Sequence, residues 1–478
     1  MAMAPERHRS AMRRVALSRP MATAIKDGLV ATGATVLDYG CGRGGDVAAL
    51  CASGVAATGW DPVFAPKAER APASIVNLGY VVNVIEDPKE REATLRSAWA
   101  LATQLLVVSA RLTDEAPEQP GPTMADGVIT RIRTFQKFYE QQELRAWIDY
   151  TLSVQSIAAA PGIFYVFADE RLRALHLATR QTRASVASAR VAPPRGQSEL
   201  GPLIDFLATH GRPPEPAELP KFGDVVGSGG PARAFVDAAR FVVDLDAVRR
   251  RRTEDLLITL ALARFDGRPK ATAMPPALLA DARAFVGSYA AACSAADDEL
   301  MGIGAEGALA AACRGAGFGK LMPTALYVHA HNIVDLPSRL RLFEGCARGY
   351  VGAVGGANVV KLGIDEPTVS YLEYEDFDVA AHPRLARSTR IHLRELAVRA
   401  RDYRRWPNRP ILHRKELLLP EGAPRRETYA RLTAAEERHG LYADPASIGT
   451  ERGWAAALAN AGVRISGHRL LRDRNQPA

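Results

Sequence analysis

Cysteine is scarce in this chain, and none of it is spaced for a shared task. Only five cysteines, Cys41, Cys51, Cys293, Cys313 and Cys346, occur in 478 residues. An odd, scattered set without a Cys-x-x-Cys pair excludes a disulfide framework and a zinc knuckle, and fits a reducing cytoplasm. No apolar run reaches the roughly 18 residues that a membrane-spanning helix needs, and the first residues lack the basic-then-apolar pattern of a secretory signal. These absences predict a cytoplasmic protein with no membrane partner. No internal repeat is found, which excludes a stacked-repeat architecture. Arginine greatly outnumbers lysine and the net charge is +8. That balance fits a nucleic-acid partner or simply a composition rich in Arg, Ala, Gly and Pro together; charge alone does not choose. Hydrophobic residues at 47% and charged residues at 24% are ordinary for a globular chain, and the length allows two or more domains.

The most informative stretch is Val36-Leu37-Asp38-Tyr39-Gly40-Cys41-Gly42-Arg43-Gly44-Gly45-Asp46. An apolar strand runs into a turn with glycine at every second position, and a helix begins straight after. Glycine suits backbone that approaches a ligand or takes positive φ, and the helix start offers free N–H groups to an anion. A second apolar run, Ala57–Trp60, ends at Asp61, 23 positions beyond Asp38. That is a normal length for one β-α-β step, and an acid there can accept ribose hydroxyls. The dinucleotide fingerprint spaces its glycines differently, as G-x-G-x-x-G. With Asp38 two residues ahead of three alternating glycines, the pattern resembles motif I of class I S-adenosylmethionine-dependent methyltransferases. The resemblance implies an α/β fold: a Rossmann-like, doubly wound sheet holding S-adenosyl-L-methionine.

A full domain of that class would next supply a third strand and helix. Only Val63 to Ser74 intervene before the run Ile75–Asp87, and they carry Pro66 and Pro72. The third α/β unit is therefore expected to be abbreviated, and no residue stands in for the acid that usually caps the adenine. Asp87-Pro88-Lys89-Glu90 reads as a helix start, with the helix running to about Thr103, so capping competes with any catalytic use of Glu86 and Asp87. Leu105–Ser109 reads as a buried strand, Thr113 to Gly127 as a loop long enough to be a lid, and Ile163–Phe167 as a closing strand.

The first domain is expected to span 1–170. A helix and Pro/Gly-rich linker over 171–232 and a mixed α+β region over 233–478 should follow. Arg249 to Arg252 is the strongest basic run and reads either as a solvated helix face or as a phosphate contact. His329 and His331 would share one strand face, where a metal site with Asp335 is conceivable but short of ligands. Glu373, Glu375, Asp376 and Asp378 read as a solvated strand end or a magnesium site. Arg401 to Trp406, then His413-Arg414-Lys415, interleaves aromatics with cations, which suits stacking and phosphate contact and equally an ordinary basic surface.

Several strings together look like the DNA phosphorothioation-associated methyltransferase family. They are Arg7-His8-Arg9, Leu17-Ser18-Arg19-Pro20, the glycine turn, Gly59-Trp60-Asp61-Pro62, Asn77-Leu78-Gly79-Tyr80, Thr134-Phe135-Gln136-Lys137, Leu412-His413-Arg414-Lys415-Glu416 and Leu432-Thr433-Ala434-Ala435-Glu436-Glu437. The resemblance spans nearly the whole chain. It implies DNA as a partner, association with DNA phosphorothioation proteins, and cofactor contacts from Asp38, Gly40, Cys41, Gly42, Gly44, Asp61, Asn77 and Leu78. Asn77-Leu78-Gly79-Tyr80 is also similar to the Asp/Asn/Ser, two prolines and aromatic of amino-methylating DNA enzymes. That likeness implies catalytic roles for Asn77, accepting hydrogens from an exocyclic amine, and for Tyr80, stacking on a flipped base. Two other readings stay open: a cofactor-bound DNA sensor or scaffold that methylates nothing, and a small-molecule or RNA methyltransferase.

Overall fold

The computed structural model describes residues 6–117, 119, 121–181, 200–222 and 230–473. Contacts divide the chain into two compact units, residues 1–169 with 309–336 and 346–478, and residues 170–308 with 337–345. One boundary between the units falls at 169/170. The C-terminal region expected over 233–478 is instead shared between the two units.

In the first unit, helix α1 (Arg19–Lys26) carries Pro20 in its first turn, where a missing N–H costs nothing. The sheet that follows is built from β1 (Thr35–Tyr39), helix α2 (Gly45–Ala52), β2 (Ala56–Trp60), β3 (Ala73–Gly79), helix α3 (Pro88–Trp99) and β4 (Ala102–Ser109). Three short strands, β5 (Thr123–Met124), β6 (Gly127–Ile129) and β7 (Phe135–Gln136), form a small separate sheet, so the expected lid is partly tied down. Helix α4 (Gln141–Leu152) and strands β8 (Ile157–Ala160) and β9 (Ile163–Phe167) complete the region.

The main sheet has the order β2-β1-β3-β4-β9-β8. β2, β1, β3 and β4 are parallel, and β9 runs antiparallel to both β4 and β8. Its core includes Leu37, Val76, Leu78, Leu106, Val108 and Phe164. Between β2 and β3, residues 61–72 form turns closed by an Asp61–Ala65 bridge, with neither helix nor strand. These twelve residues are the whole crossover from β2 to the parallel β3, about the least such a connection needs, and leave none for a helix and a further strand. α3 stops at Trp99 rather than near Thr103, because Ala102 is already paired with Ala73 in the sheet. β8 gave little signal, since Ala158, Ala159 and Ala160 have low strand propensity; pairing with β9 decides it.

The second unit is helical: α5 (Glu170–Thr179), α6 (Gly201–His210), α7 (Gly230–Ala239), α8 (Leu245–Ala263), α9 (Pro276–Val286) and α10 (Tyr289–Gly302). The expected linker over 171–232 is corrected where it is described, since residues 182–199 and 223–229 lie outside the described residues. α6 buries Leu203, Ile204 and Leu207 against Ala238 and Val242, an i, i+3/i+4 stripe that the surrounding prolines obscured. The basic run also resolves. Arg252 is buried and reaches Asp255 at 2.9 Å, and Arg341 bonds the other oxygen of Asp255. Arg252 is thus an internal ion-pair partner, while Arg249 and Arg250 are exposed.

Helix α11 (Ala308–Arg314), strands β10 (Lys320–Met322) and β11 (Ala325–His329), and helix α12 (Ser338–Val351) lead back to the first unit. There β12 (Val359–Gly363), β13 (Thr368–Tyr374), β14 (Leu385–His392) and β15 (Ala397–Asp402) join β10 and β11 in a sequential antiparallel sheet. Helices α13 (Arg426–Arg438) and α14 (Glu451–Asn460) and a hairpin of β16 (Val463–Ser466) and β17 (Arg469–Arg472) follow. No helix among the described residues is long and apolar enough to cross a membrane.

Candidate functional site

The order of the main sheet reverses between β1 and β3, and at such a switch point two loops diverge to leave a crevice at the strand ends. A cavity of about 700 Å³ opens there, within the usual range for a small-molecule site. Asp38, Gly40, Cys41, Gly42, Asp46, Asp61, Asn77 and Tyr80 all line it. Most of the residues singled out in the sequence thus come together.

Backbone geometry explains the glycine turn. Gly40, Gly42 and Gly44 have φ of +88°, +52° and +73°, values that side chains resist. A Cβ on Gly40 would stand 2.4 Å from Val81 Cγ2, so the loop also depends on close approach. Gly44 is the left-handed N-cap of α2 and does not line the cavity; its part is to start the helix. Burial pushes the Cys41 thiol up to about 12, which rules it out as a thiolate nucleophile near neutral pH.

Asp38 and Asn77 are neighbours in the β1–β3 ladder. Asn77 Nδ2 donates to Asp38 Oδ1 at 2.8 Å, while Asn77 Oδ1 is buried without a protein partner. Burial, helped by the nearby Asp46, pushes the Asp38 carboxyl up to about 7 against the opposing effects of Asn77 and Arg14. A buried carboxylate beside an orphaned amide oxygen is an arrangement that a cationic or hydrogen-donating ligand would satisfy. Tyr80 holds φ +60°, its N–H donates to Ser109 O at 3.0 Å, and the Arg14 guanidinium lies 5.6 Å from its ring centroid. Leu78 corrects the expected cofactor contact: it points to the opposite face of β3, is fully buried in the core and lies outside the cavity lining.

Asp61 does more than the sequence suggested. Its Oδ2 accepts from Gly42 N at 3.0 Å, and Oδ1 accepts from Val63 N at 2.8 Å and Phe64 N at 2.9 Å. The carboxylate therefore fastens the glycine turn to the abbreviated unit; Oδ1 is filled by its two backbone donors, and Oδ2 keeps a further lone pair for a ligand hydroxyl.

The N-terminal segment is a wall of the cavity, lined by Arg7, His8, Arg9 and Arg14 among others. Arg7 bonds Glu86 at 2.7 Å and Glu90 at 2.7 Å, and Ser18 N donates to Asp46 Oδ1 at 2.6 Å. The acidic partners of Arg7 lie some 80 positions away, beyond the reach of any local reading of the sequence. Thr130, Thr134, Gln136 and Arg111 close another side, and Thr134 and Gln136 belong to a string already noted. With Glu86 engaged by Arg7 and Asp87 accepting from Lys89 N at 2.9 Å as helix cap, neither carboxyl is available for chemistry. Asp87→Ala is expected to cost about 1 kcal/mol in denaturant unfolding while ligand affinity at the cavity stays unchanged; a tenfold affinity loss would contradict the capping role.

The remaining candidates lie outside the cavity lining. His331 sits in a 3₁₀ turn begun by His329, not on a strand, and no group of three metal-ligating side chains occurs among the described residues. Glu375 is paired with Arg409 at 2.8 Å and Asp378 with Arg425 at 3.7 Å, so the acidic strand end is spread among arginines. The two C-terminal strings meet each other: Thr433 donates to Glu416 at 2.9 Å, and Glu437 pairs with Arg414 at 2.7 Å. Glu436, fully buried, receives His382 and Tyr442, each at 2.7 Å. These residues tie α13 to the 3₁₀ turn at Lys415–Leu418 and to the loops on either side.

Sheet order, switch-point crevice and glycine turn are those of a Rossmann-like α/β domain with a cavity at the strand ends. Solved structures similar to part of the chain include two from Burkholderia thailandensis. One is 1,6-didemethyltoxoflavin-N1-methyltransferase with bound 1,6-didemethyltoxoflavin and S-adenosylhomocysteine, at 16% identity and a TM-score of 0.25, covering 31% of this chain and 76% of that one. The other is an O-methyltransferase family protein, at 12% identity and a TM-score of 0.22, covering 31% of this chain and 55% of that one. Likenesses this slight carry no functional argument. No family model and no curated protein matches the sequence.

Proposed function

We propose that the chain is an S-adenosyl-L-methionine-dependent methyltransferase acting on DNA, in a modification or defence setting linked to phosphorothioation. The observation that carries the cofactor assignment is the buried Asp38–Asn77 pair beside a glycine turn whose Gly40 and Gly42 line the same cavity. The Burkholderia thailandensis methyltransferase with bound S-adenosylhomocysteine agrees with this choice without bearing on it.

The site's chemistry fits the cofactor. The cofactor supplies an electrophilic methyl group on a sulfonium. Asp38 would balance positive charge at the amino-acid end, the turn at Gly40 to Gly42 would meet it with backbone, and Asp61 would accept ribose hydroxyls. Asn77 Oδ1, left without a partner, would accept hydrogen from the amine that receives the methyl, and Tyr80 would stack on its base. Alignment of the nucleophile with the methyl is the main catalytic task in such a displacement. DNA as the acceptor is supported by the net charge of +8 and by the family resemblance of the strings quoted above.

Label transfer from tritiated S-adenosylmethionine to DNA, RNA and a small-molecule panel tests the reading. Label is expected in DNA; transfer only to RNA or small molecules would reassign the acceptor. The abbreviated third unit supports a second reading, a cofactor-bound DNA sensor. It predicts cofactor and DNA binding without any label transfer.

A further inference from the structure

The edge of the C-terminal sheet gathers positive charge on one face. Arg390 of β14 stands directly opposite Arg399 of β15, and Ser388 opposite Arg401. Alternate residues of a strand share a face, so Arg390, Arg399 and Arg401 lie together, and all three are exposed. Lys361 continues the same row by way of Ser370. Like charges opposed across a ladder are destabilising. Glu366 offsets Arg390 at 2.6 Å, whereas Arg399 and Arg401 have no ion-pair partner among the described residues. An aromatic step adjoins the row: the Arg401 guanidinium lies 5.8 Å from the centroid of Trp406. That ring is 44% exposed and packs 4.7 Å from Tyr403.

We infer that the β14–β15 face, with Trp406 at its end, binds single-stranded nucleic acid. Guanidinium groups without carboxylate partners suit phosphates, and an exposed indole beside them suits an unstacked base. A duplex presents phosphates but keeps its base faces covered, so the tryptophan would be idle against it; an apolar protein partner would leave the arginines uncompensated. The inference rests on the nucleic-acid reading above and adds a track for an unpaired strand outside the catalytic cavity.

The test is fluorescence anisotropy of a labelled oligothymidine with the full chain over a range of salt. Each phosphate contact on a single strand contributes about 0.7 to the slope of log K against log salt. R390Q/R399Q/R401Q is therefore expected to lower the slope by about 2. W406A is expected to weaken binding roughly tenfold with the slope unchanged. Thermal midpoints close to wild type are expected, since all four side chains are exposed. Wild-type affinity in folded samples of both variants overturns this inference alone. Equal losses for duplex and single strand, with W406A silent, overturn the single-strand assignment. Failure of the wild type to bind any oligonucleotide overturns both this inference and the nucleic-acid reading.

Discussion

Asp38→Asn is expected to lower affinity for S-adenosylmethionine at least about 100-fold at pH 8 while making the ligand-free protein harder to unfold. The carboxylate is 6% exposed and its pKa is raised to about 7, chiefly by burial. The unfolded chain would release that proton near 3.9. Between those values the folded state binds the proton more tightly, so stability falls as pH rises from about 4 to 7, and the full penalty is present at pH 8. Asparagine keeps a side-chain oxygen to accept from Asn77 and carries no charge, so it relieves up to about 4 kcal/mol of strain, at roughly 1.4 kcal/mol per pKa unit.

A cationic ligand reverses that balance, because it needs the ionised acid. Wild-type affinity should fall about fivefold between pH 7 and pH 6, as Asp38 must lose its proton on binding. The variant should lack this dependence. Calorimetry in buffers of different ionisation enthalpy reads the proton release directly. Undiminished affinity in the variant, or binding by the wild type that is flat from pH 6 to 8, would remove Asp38 from the site.

The second large effect concerns Asn77→Ala, for which turnover is expected to drop about 10²–10³-fold, the usual loss when one preorganised polar group at the reacting centre is removed. Asn77 Nδ2 steadies Asp38, so cofactor affinity should also weaken, by about 10-fold to 100-fold, as loss of one hydrogen bond of about 1.5–3 kcal/mol to a charged group implies. The separation of the two effects is the diagnostic. A residue that only shaped the cofactor pocket would raise the cofactor KM and leave kcat intact, and that outcome would falsify the acceptor role given to Asn77 Oδ1. Gly79 gives a structural control: its missing Cβ leaves room for the Asn77 amide, whose Nδ2 would lie 3.0 Å from an added methyl. Gly79→Ala should therefore reproduce part of the Asn77→Ala loss without touching its chemistry.

Much of the site lay close together along the chain. The glycine turn, Asp38 and Asp61 fall within one β-α-β step, and the local rules for strands, positive φ and helix starts act over that distance. The same holds for the cap at Asp87 and the strand Ile163–Phe167. Leu78 was misassigned because proximity to Asn77 in sequence hides the alternation of faces along β3, which sends Leu78 into the core. α6 was taken as linker because prolines and glycines are frequent on either side of it, although its apolar spacing was helical.

The amino-acid sequence alone determined the positive-φ glycine turn after β1, the abbreviated third α/β unit and the absence of cysteine pairing, since each depends on short-range chemistry and chain length. Tertiary structure decided what the charges do. Arg7 reaches Glu86 and Glu90, Arg252 shares Asp255 with Arg341, and Arg390 faces Arg399 across a ladder. A cation's role depends on which carboxylate, carbonyl or like charge folding brings beside it, and those partners are set by pairing register and helix packing over tens of residues.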